Sequence, residues 1–330
     1  MKRILVTGAS GFVGRRLCAH LVHQGWRVRA AVRGAPPIPL AEGIDMHAVP
    51  DIGPETDWSG ALAGIDAVVH LAARVHVMHE TAMEGLREHR RVNTEGTDTL
   101  ARAAARAGVQ RFVYLSTIKV NGERTLDQPF TEADTPAPVD AYGQSKLEAE
   151  QRLARIADET GLACVIFRPP LMYGPGVKGN FRRLISLVRL RIPLPLAGIT
   201  NARSMLCVDN MVSAIEAVLN RTQPVTATYL VSDGHDLSTP ELLRKIGAAM
   251  GGMPPLFRCP RSLLLAAAGM AGKGEEARRM IESLRVDCGK LQRELQWNPP
   301  VSIDAGIAAA VQWQLQKSNP PDDTRGPGHE

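Results

Sequence analysis

The sequence predicts an α/β fold, a doubly wound parallel sheet flanked by helices and followed by a smaller C-terminal lobe. Short apolar, β-branched runs alternate with helix-favouring segments over the first half of the chain, and strands that alternate with helices pair in parallel. Beyond Arg168 that alternation gives way to proline-interrupted text. At 330 residues and 44% hydrophobic, the chain can bury a full sheet core and still carry a second lobe.

Ile4 to Val6 is the first strand. Met1, Lys2 and Arg3 lead straight into it and a glycine-rich turn ends it, so it lacks the longer apolar stretch of a secretory signal. Val13 to Gln24 follows with apolar residues at helical spacing. Val28 to Val32 is the second strand, and Ala67 to Leu71 and Phe112 to Leu115 continue the series around a helix over Thr94 to Ala107. Ser145 to Glu159, rich in Ala, Leu, Arg and Glu, is helical, and Cys164 to Phe167 is the last strand of the run. Residues 1–168 are therefore expected to form the sheet domain.

Prolines then break the pattern at Pro169-Pro170, Pro175 and Pro193-Leu194-Pro195, because each removes a backbone donor. Residues 169–316 are expected to be mainly the second lobe, with some segments returning to the sheet. Within it Ser238 is the N-cap of a helix over Thr239 to Met250, with Pro240 and Glu241 in the first turn, and a second helix covers Glu275 to Leu284. Leu263 to Met270 is far shorter than the ~20 apolar residues of a membrane span and is expected as a buried helix, with contact to a membrane surface as the alternative. The polar, Pro- and Gly-containing residues 317–330 are expected to be a disordered tail.

Composition excludes several classes. The five cysteines, Cys18, Cys164, Cys207, Cys259 and Cys288, are scattered without metal-ligand spacing, so reduced thiols and no metal site are expected. Net charge is +5, but arginines are dispersed and aromatics make up only 4%, which argues against nucleic acid and suits an anionic small substrate. A cytoplasmic protein without a transmembrane segment is expected.

Thr7-Gly8-Ala9-Ser10-Gly11-Phe12-Val13-Gly14 lies directly after the first strand and opens a helix. That context makes it a dinucleotide site of the Rossmann type. The glycines allow a tight turn and close approach of pyrophosphate, and the free N–H groups of the helix start attract the anion. An NAD site wants a carboxylate at the end of strand two to hold the ribose hydroxyls, but Ala31-Val32-Arg33 stands there. Arg33 can pair with a 2′-phosphate, so NADP(H) is favoured, with NAD(H) the alternative. Arg15 and Arg16 are further cations near this turn.

Tyr142 and Lys146 are four apart and share one face if their segment is helical. A phenol with pKa near 10 is too weak a base at neutral pH, and a neighbouring ammonium together with an oxidised nicotinamide would lower it. Tyr142 is then the acid/base, and Lys146 its tuner and ribose anchor.

With these motifs in order (the glycine turn, Asp51-Ile52, His70-Leu71-Ala72-Ala73, Asn93, Ser116-Thr117, Tyr142-x-x-x-Lys146 and Arg168-Pro169), the sequence resembles the extended short-chain dehydrogenase/reductase superfamily, the NAD(P)-dependent epimerase/dehydratase family, over roughly residues 1 to 316. The resemblance implies that Asp51 and Ile52 flank the adenine. It places Leu71, Ala72 and Ala73 beneath the cofactor and adds Asn93, Ser116, Arg168 and Pro169 to the cofactor residues. Thr117 takes the place of the catalytic Ser or Thr. Sugar 4,6-dehydratases of the family carry Asp-Glu after that Thr; Ile118-Lys119 stands here, which disfavours dehydration. The usual Val-Tyr-Gly reads Val120-Asn121-Gly122, leaving Asn121 without an assigned role.

In the second lobe, Asn180 and Arg203 fall where the family holds a nucleoside diphosphate, and arginine suits the diphosphate oxygens. His76 and His79 follow the fourth strand and are candidates for the nicotinamide end of the cleft. The stretches 74–78, 118–123, 170–176 and 237–241 look like a bacterial surface-polysaccharide subgroup that is UDP-glucose 4-epimerase-like, some of whose members resemble 4-reductases making UDP-N-acetylquinovosamine. The resemblance thus implies a UDP-sugar substrate, oxidoreduction at sugar C4 and a homodimer. Reduction of a UDP-4-keto-6-deoxy-N-acetylhexosamine is favoured, with 4-epimerisation as the alternative. A non-catalytic nicotinamide-sensing protein is a distant third, since both Tyr142 and Lys146 are present.

Overall fold

The computed structural model describes residues 2–36, 39–75 and 82–318; His76 and His79 lie outside them. The strands are β1 (Arg3–Thr7), β2 (Arg27–Val32), β3 (Asp45–Ala48), β4 (Ala67–His70), β5 (Arg111–Leu115), β6 (Ala163–Arg168), β7 (Leu171–Tyr173), β8 (Met205–Cys207) and β9 (Ala227–Leu230). Seven of them form one sheet in the order β3-β2-β1-β4-β5-β6-β9, every pair parallel, and β7 pairs with β8 in a small second sheet. Chain order reverses between β1 and β4, opening a crevice at the carboxyl ends of these strands, the usual ligand position of open α/β sheets.

The helices are α1 (Phe12–His23), α2 (Ser59–Leu62), α3 (Ala82–His89), α4 (Gly96–Arg106), α5 (Ala141–Thr160), α6 (Gly179–Arg189), α7 (Val208–Leu219), α8 (Thr239–Ala249), α9 (Arg261–Met270), α10 (Gly274–Ile281), α11 (Gly289–Leu295) and α12 (Ile303–Ser318). Alternate strand residues feed two cores. Ile4, Val6, Val69 and Phe167 pack with Leu17 and Ile215 of α1 and α7 on one face. Leu5, Val68, Phe112 and Tyr114 pack with Leu100 and Leu153 of α4 and α5 on the other. Strands buried on both faces read as continuous apolar runs, which is why they were legible. A third core, with Tyr173, Phe181, Leu243 and Ile307, fills the C-terminal lobe.

Several expectations shift. β3 forms no apolar run because it is a mostly exposed edge strand, and β9 returns to the sheet from beyond residue 168. A π-helical segment, Arg90–Glu95, precedes α4, so the helix expected from Thr94 begins as an irregular turn. α10 ends at Ile281, and Leu284 instead makes a parallel bridge to Arg203. Ser238 caps α8 with a complete capping box to Glu241. The helix at Leu263 to Met270 is present as α9, but it contains no buried residue, because it packs mainly beside α10 rather than under the lobe. Lys317 and Ser318 continue α12, and residues 319–330 are outside the described part.

Candidate active site

The glycine turn sits at the β1 end of the crevice. Gly8 has φ +67°, and a Cβ there would lie 2.7 Å from the Ala72 amide nitrogen. At Gly14 a Cβ would come within 2.1 Å of the Gly8 carbonyl oxygen, so both positions require glycine. Gly11 N–H donates to Gly8 O at 2.9 Å and closes the turn. Ser10 and Gly11 are exposed, Val13 is in the core and Phe12 packs partly against it. α1 starts with no side-chain cap and no acidic residue in its first turn, which leaves its initial N–H groups and positive dipole end available to an anion. These features fit a dinucleotide pyrophosphate.

The crevice floor is rigid. His70 is fully buried, with Nδ1 2.6 Å from Thr7 Oγ1 and Nε2 3.0 Å from Thr97 Oγ1. Burial, then the charge of Lys146, pushes its pKa down to about 3, so the ring is neutral. Ala72 N–H donates to Thr7 Oγ1 at 3.3 Å, which ties the Leu71-Ala72-Ala73 segment to β1. Asn93, in the π-helical segment, accepts from Arg74 N–H at 2.8 Å and donates to Arg74 O and Ser145 Oγ, both at 3.0 Å. Its side chain thereby clamps the loop after β4 to α5.

Beside the loop after β3, Arg91 Nη1 lies 2.7 Å from Asp51 of that loop. Burial pushes the Asp51 carboxyl up, but the Arg91 hydrogen bond, the Ile52 amide and the charges of Arg91 and Arg33 outweigh it and hold the pKa below the usual value. A carboxylate therefore does lie near Arg33, carried by the loop after β3 rather than by β2. Ile52 abuts the start of α4, where a Cβ on Gly96 would meet its side chain at 2.7 Å. Arg15 donates to Pro39 O at 2.9 Å and Arg16 pairs with Asp209, whereas Arg33 is exposed directly after β2.

Tyr142 and Lys146 lie one turn apart near the start of α5. Asp140 caps that helix by accepting from Gly143 N–H at 2.7 Å. A Cβ on Gly143 would be 3.0 Å from Lys119 O, so glycine there lets α5 approach the 3₁₀ turn Ile118–Val120. Thr117 caps that turn through Lys119 N–H, and Pro169 O accepts from Ile118 N–H at 2.9 Å. Thr117 is half-buried whereas Ser116 is buried, which makes Thr117 the hydroxyl open to the cleft.

Lys146 is 1% exposed. Its Nζ donates to Leu115 O at 2.8 Å, stands 4.3 Å above the Tyr114 ring and lies 6.0 Å from the Tyr142 ring centre. Burial pushes its pKa down to about 7, opposed by Glu150. Burial, aided by Asp140, pushes the Tyr142 phenol up. The chain's own groups thus leave Tyr142 protonated, and the lowering expected from Lys146 requires an added positive charge in the cleft. His89 meets the Tyr142 ring edge-on at 6.0 Å between centres.

Beneath the pair runs a buried network that sequence reasoning missed. Glu150 accepts from Ser116 Oγ and takes a two-nitrogen contact from Arg168, 2.5 Å at the shortest. Arg168 Nη1 donates to Asn121 Oδ1 at 2.9 Å, and Asn121 donates to Thr131 O at 3.1 Å. The side chains of Ser116 and Arg168, expected among the cofactor contacts, face this network, so they support the strand ends from within. Asn121, unassigned from sequence, completes Arg168. The missed signal was spacing: Tyr142, Lys146 and Glu150 recur every four residues along one helix face.

On the substrate side, Asn180 is exposed in the first turn of α6. Arg203 is held by Nη1 to Arg279 O at 2.7 Å and Glu282 O at 3.1 Å. Burial lowers its pKa below the usual arginine value. Lys119 pairs with Asp140 at 2.5 Å and Glu123 at 2.9 Å, and Glu123 lies 3.8 Å from Arg279. This chain of charges links the cap of α5 to the lobe that carries Arg203.

A glycine turn at the switch point with a Tyr-Lys pair on α5 defines a nicotinamide-dependent short-chain dehydrogenase/reductase of the extended type. The pattern of the NAD dependent epimerase/dehydratase family matches residues 4–231, and the chain belongs to that family of enzymes. It is 39% identical to a UDP-glucose 4-epimerase of Vibrio cholerae over 323 residues, 96% of this chain and 97% of that protein. A dTDP-glucose 4,6-dehydratase of Streptomyces griseus is 31% identical over 333 residues, 94% of this chain and 93% of that one. The solved UDP-glucuronic acid 4-epimerase of Bacillus cereus in complex with NAD has TM-score 0.77 at 22% identity, over 96% of this chain and 100% of that chain; it is alike in fold.

Proposed function

We propose that the chain is a UDP-sugar 4-epimerase. The observation that carries this reading is the Tyr142–Lys146 pair beside Thr117 in a chain similar over nearly its whole length to a UDP-glucose 4-epimerase. A nicotinamide bound at the glycine turn would supply a reversible hydride acceptor for sugar C4. Tyr142 removes and restores the C4 hydroxyl proton, and Thr117 donates a hydrogen bond to the same oxygen. Lys146, held by Leu115 O one turn along α5 from Tyr142, anchors a ribose hydroxyl. Gly8 to Gly14 and the start of α1 hold the pyrophosphate, while Arg203 and Asn180 hold the diphosphate of the sugar nucleotide. Ile118-Lys119 gives no acid and base pair beside Thr117, and Lys119 is already paired with Asp140 and Glu123, which argues against dehydration.

A second reading, reduction of a UDP-4-keto-6-deoxy-N-acetylhexosamine, is favoured by one observation. Arg33 stands at the end of β2 where a carboxylate would select NAD, and an NADP(H)-accepting site suits an enzyme that must exchange its cofactor.

Incubation of purified protein with UDP-glucose and with UDP-N-acetylglucosamine, without added reductant and followed by NMR, should yield the 4-epimers. Tyr142→Phe should abolish this turnover and leave cofactor binding intact. Absence of 4-epimers combined with stoichiometric NADPH oxidation on the 4-keto sugar would replace epimerase by reductase. Near-normal turnover by Tyr142→Phe would overturn both readings.

A further inference from the structure

The C-terminal lobe carries an apolar surface that its own packing leaves uncovered. α9 is apolar from Leu263 to Met270, yet none of its residues is buried. Leu264 and Leu265 lean on the lobe core, whereas Leu263 is 61% and Met270 87% exposed. Leu263, Ala266, Ala267 and Met270 follow the i, i+3, i+4, i+7 spacing of one helix face, so α9 has an apolar stripe on its outer side as well as its inner one. A helix apolar all round is ordinarily enclosed.

The segment that leads into α9 also exposes apolar side chains. Leu190, Ile192, Met253 and Phe257 are also exposed large apolar side chains. Their two segments are joined by Leu194 N–H to Pro255 O at 2.9 Å and by Phe257 N–H to Leu194 O and Ala197 N–H to Phe257 O, both at 3.0 Å. The two segments themselves carry charge of one sign. Residues 178–200 contain five basic residues and residues 250–273 contain three, and neither segment contains an acidic one. Arg189, Arg191, Arg258, Arg261 and Lys273 are exposed. The next acids along the chain, Glu275 and Glu276, lie 3.4 Å from Arg279 and Arg183 respectively.

We propose that this face docks on an acidic phospholipid surface, with the outer stripe of α9 in the headgroup layer and the arginines on the lipid phosphates. The alternative occupant, a second copy of the chain through the same face, would set these cations against themselves without counter-charge, because a two-fold contact repeats one patch on both sides. An acidic membrane supplies both an apolar layer and anions. Among the described residues no helix is long and apolar enough to cross a membrane, and ten-residue α9 lies on the surface.

The test is co-sedimentation of the full chain with phosphatidylglycerol-containing vesicles and with pure phosphatidylcholine vesicles, alongside sedimentation velocity without lipid. Binding is expected only to the anionic vesicles and should fall with added salt. Leu263→Glu with Met270→Glu should remove it. Arg258→Gln with Arg261→Gln should weaken it about 25-fold, near fivefold per cation. Wild-type melting temperatures in both double variants verify that the fold is intact. The proposal is overturned by no binding to anionic vesicles, by binding that the Leu263→Glu, Met270→Glu variant retains, or by a lipid-free dimer that this variant dissociates.

Discussion

At the scale of the residue, environment decides what a side chain does. His70 ends β4 wholly enclosed, and its imidazole is held neutral, its pKa pushed down to about 3 by burial and by Lys146. Its unfolded value is the ordinary 6.5, so the unfolded chain binds the extra proton first. The stability from this site is complete above pH 6.5 and is lost as pH falls toward 3. His70→Gln should therefore flatten the pH slope of urea-unfolding free energy in that window, by on the order of a few kcal/mol across it; an unchanged slope would show that the site is not buried as described. Arg33 is the residue on which cofactor choice turns. Arg33→Ala should weaken NADPH binding by roughly tenfold while changing NADH binding little, measured by fluorescence titration. Equal losses for both cofactors would mean that the nearby Asp51 and Arg91 set the ribose pocket instead.

At the scale of the element, the start of α5 is the sensitive joint. Asp140 caps the helix and is at the same time the partner of Lys119, so one carboxylate sets both the helix start and its contact with the 3₁₀ turn that carries Thr117. Gly143 permits that contact, because a Cβ would stand 3.0 Å from Lys119 O and 3.2 Å from Pro138. Gly143→Ala should push Tyr142 away from Thr117 and lower kcat by about tenfold to a hundredfold, while the thermal midpoint moves by only a few degrees. A variant with full kcat would show that the two elements are not held in register here. The helix was legible from Ser145 onward, but its true start at Ala141, which brings Tyr142 onto it, was not. The Asp140 cap announces itself only once the Lys119 segment is seen packed against it.

At the scale of the whole molecule, the Glu150–Arg168 pair binds the ends of β5 and β6, α5 and the Asn121 loop into one unit below the reaction centre. Both side chains are buried, 6% and 7% exposed. Removing one partner leaves the other charge without compensation, so Glu150→Ala should cost ~3–5 kcal/mol of unfolding free energy. Ser116→Ala, which removes one neutral donor to the same carboxylate, should cost about 1–2 kcal/mol by the same denaturant titration. A loss in Glu150→Ala no larger than in Ser116→Ala would show that the pair is not enclosed. A comparable buried network, Tyr173 to Asp233 at 2.8 Å with Asn210 and the Cys207 amide on the same carboxylate, fastens the small β7–β8 sheet to the segment leaving β9. The ties to Asp233 each join residues more than twenty positions apart.

The sequence by itself determined the parallel sheet, the glycine turn, the Tyr142–Lys146 pair and the capped α8. Each of these rests on a local regularity: apolar runs in strands buried on both faces, glycine where the backbone must close on itself, helical spacing, and a capping box. Tertiary structure alone decided which hydroxyl of Ser116-Thr117 opens to the cleft, that Arg168 serves Glu150 and Asn121, that an acid from the loop after β3 lies near Arg33, and that α9 stays uncovered. Those outcomes depend on burial and on partners far away in the chain, and neither leaves a periodic mark in the residues that undergo them.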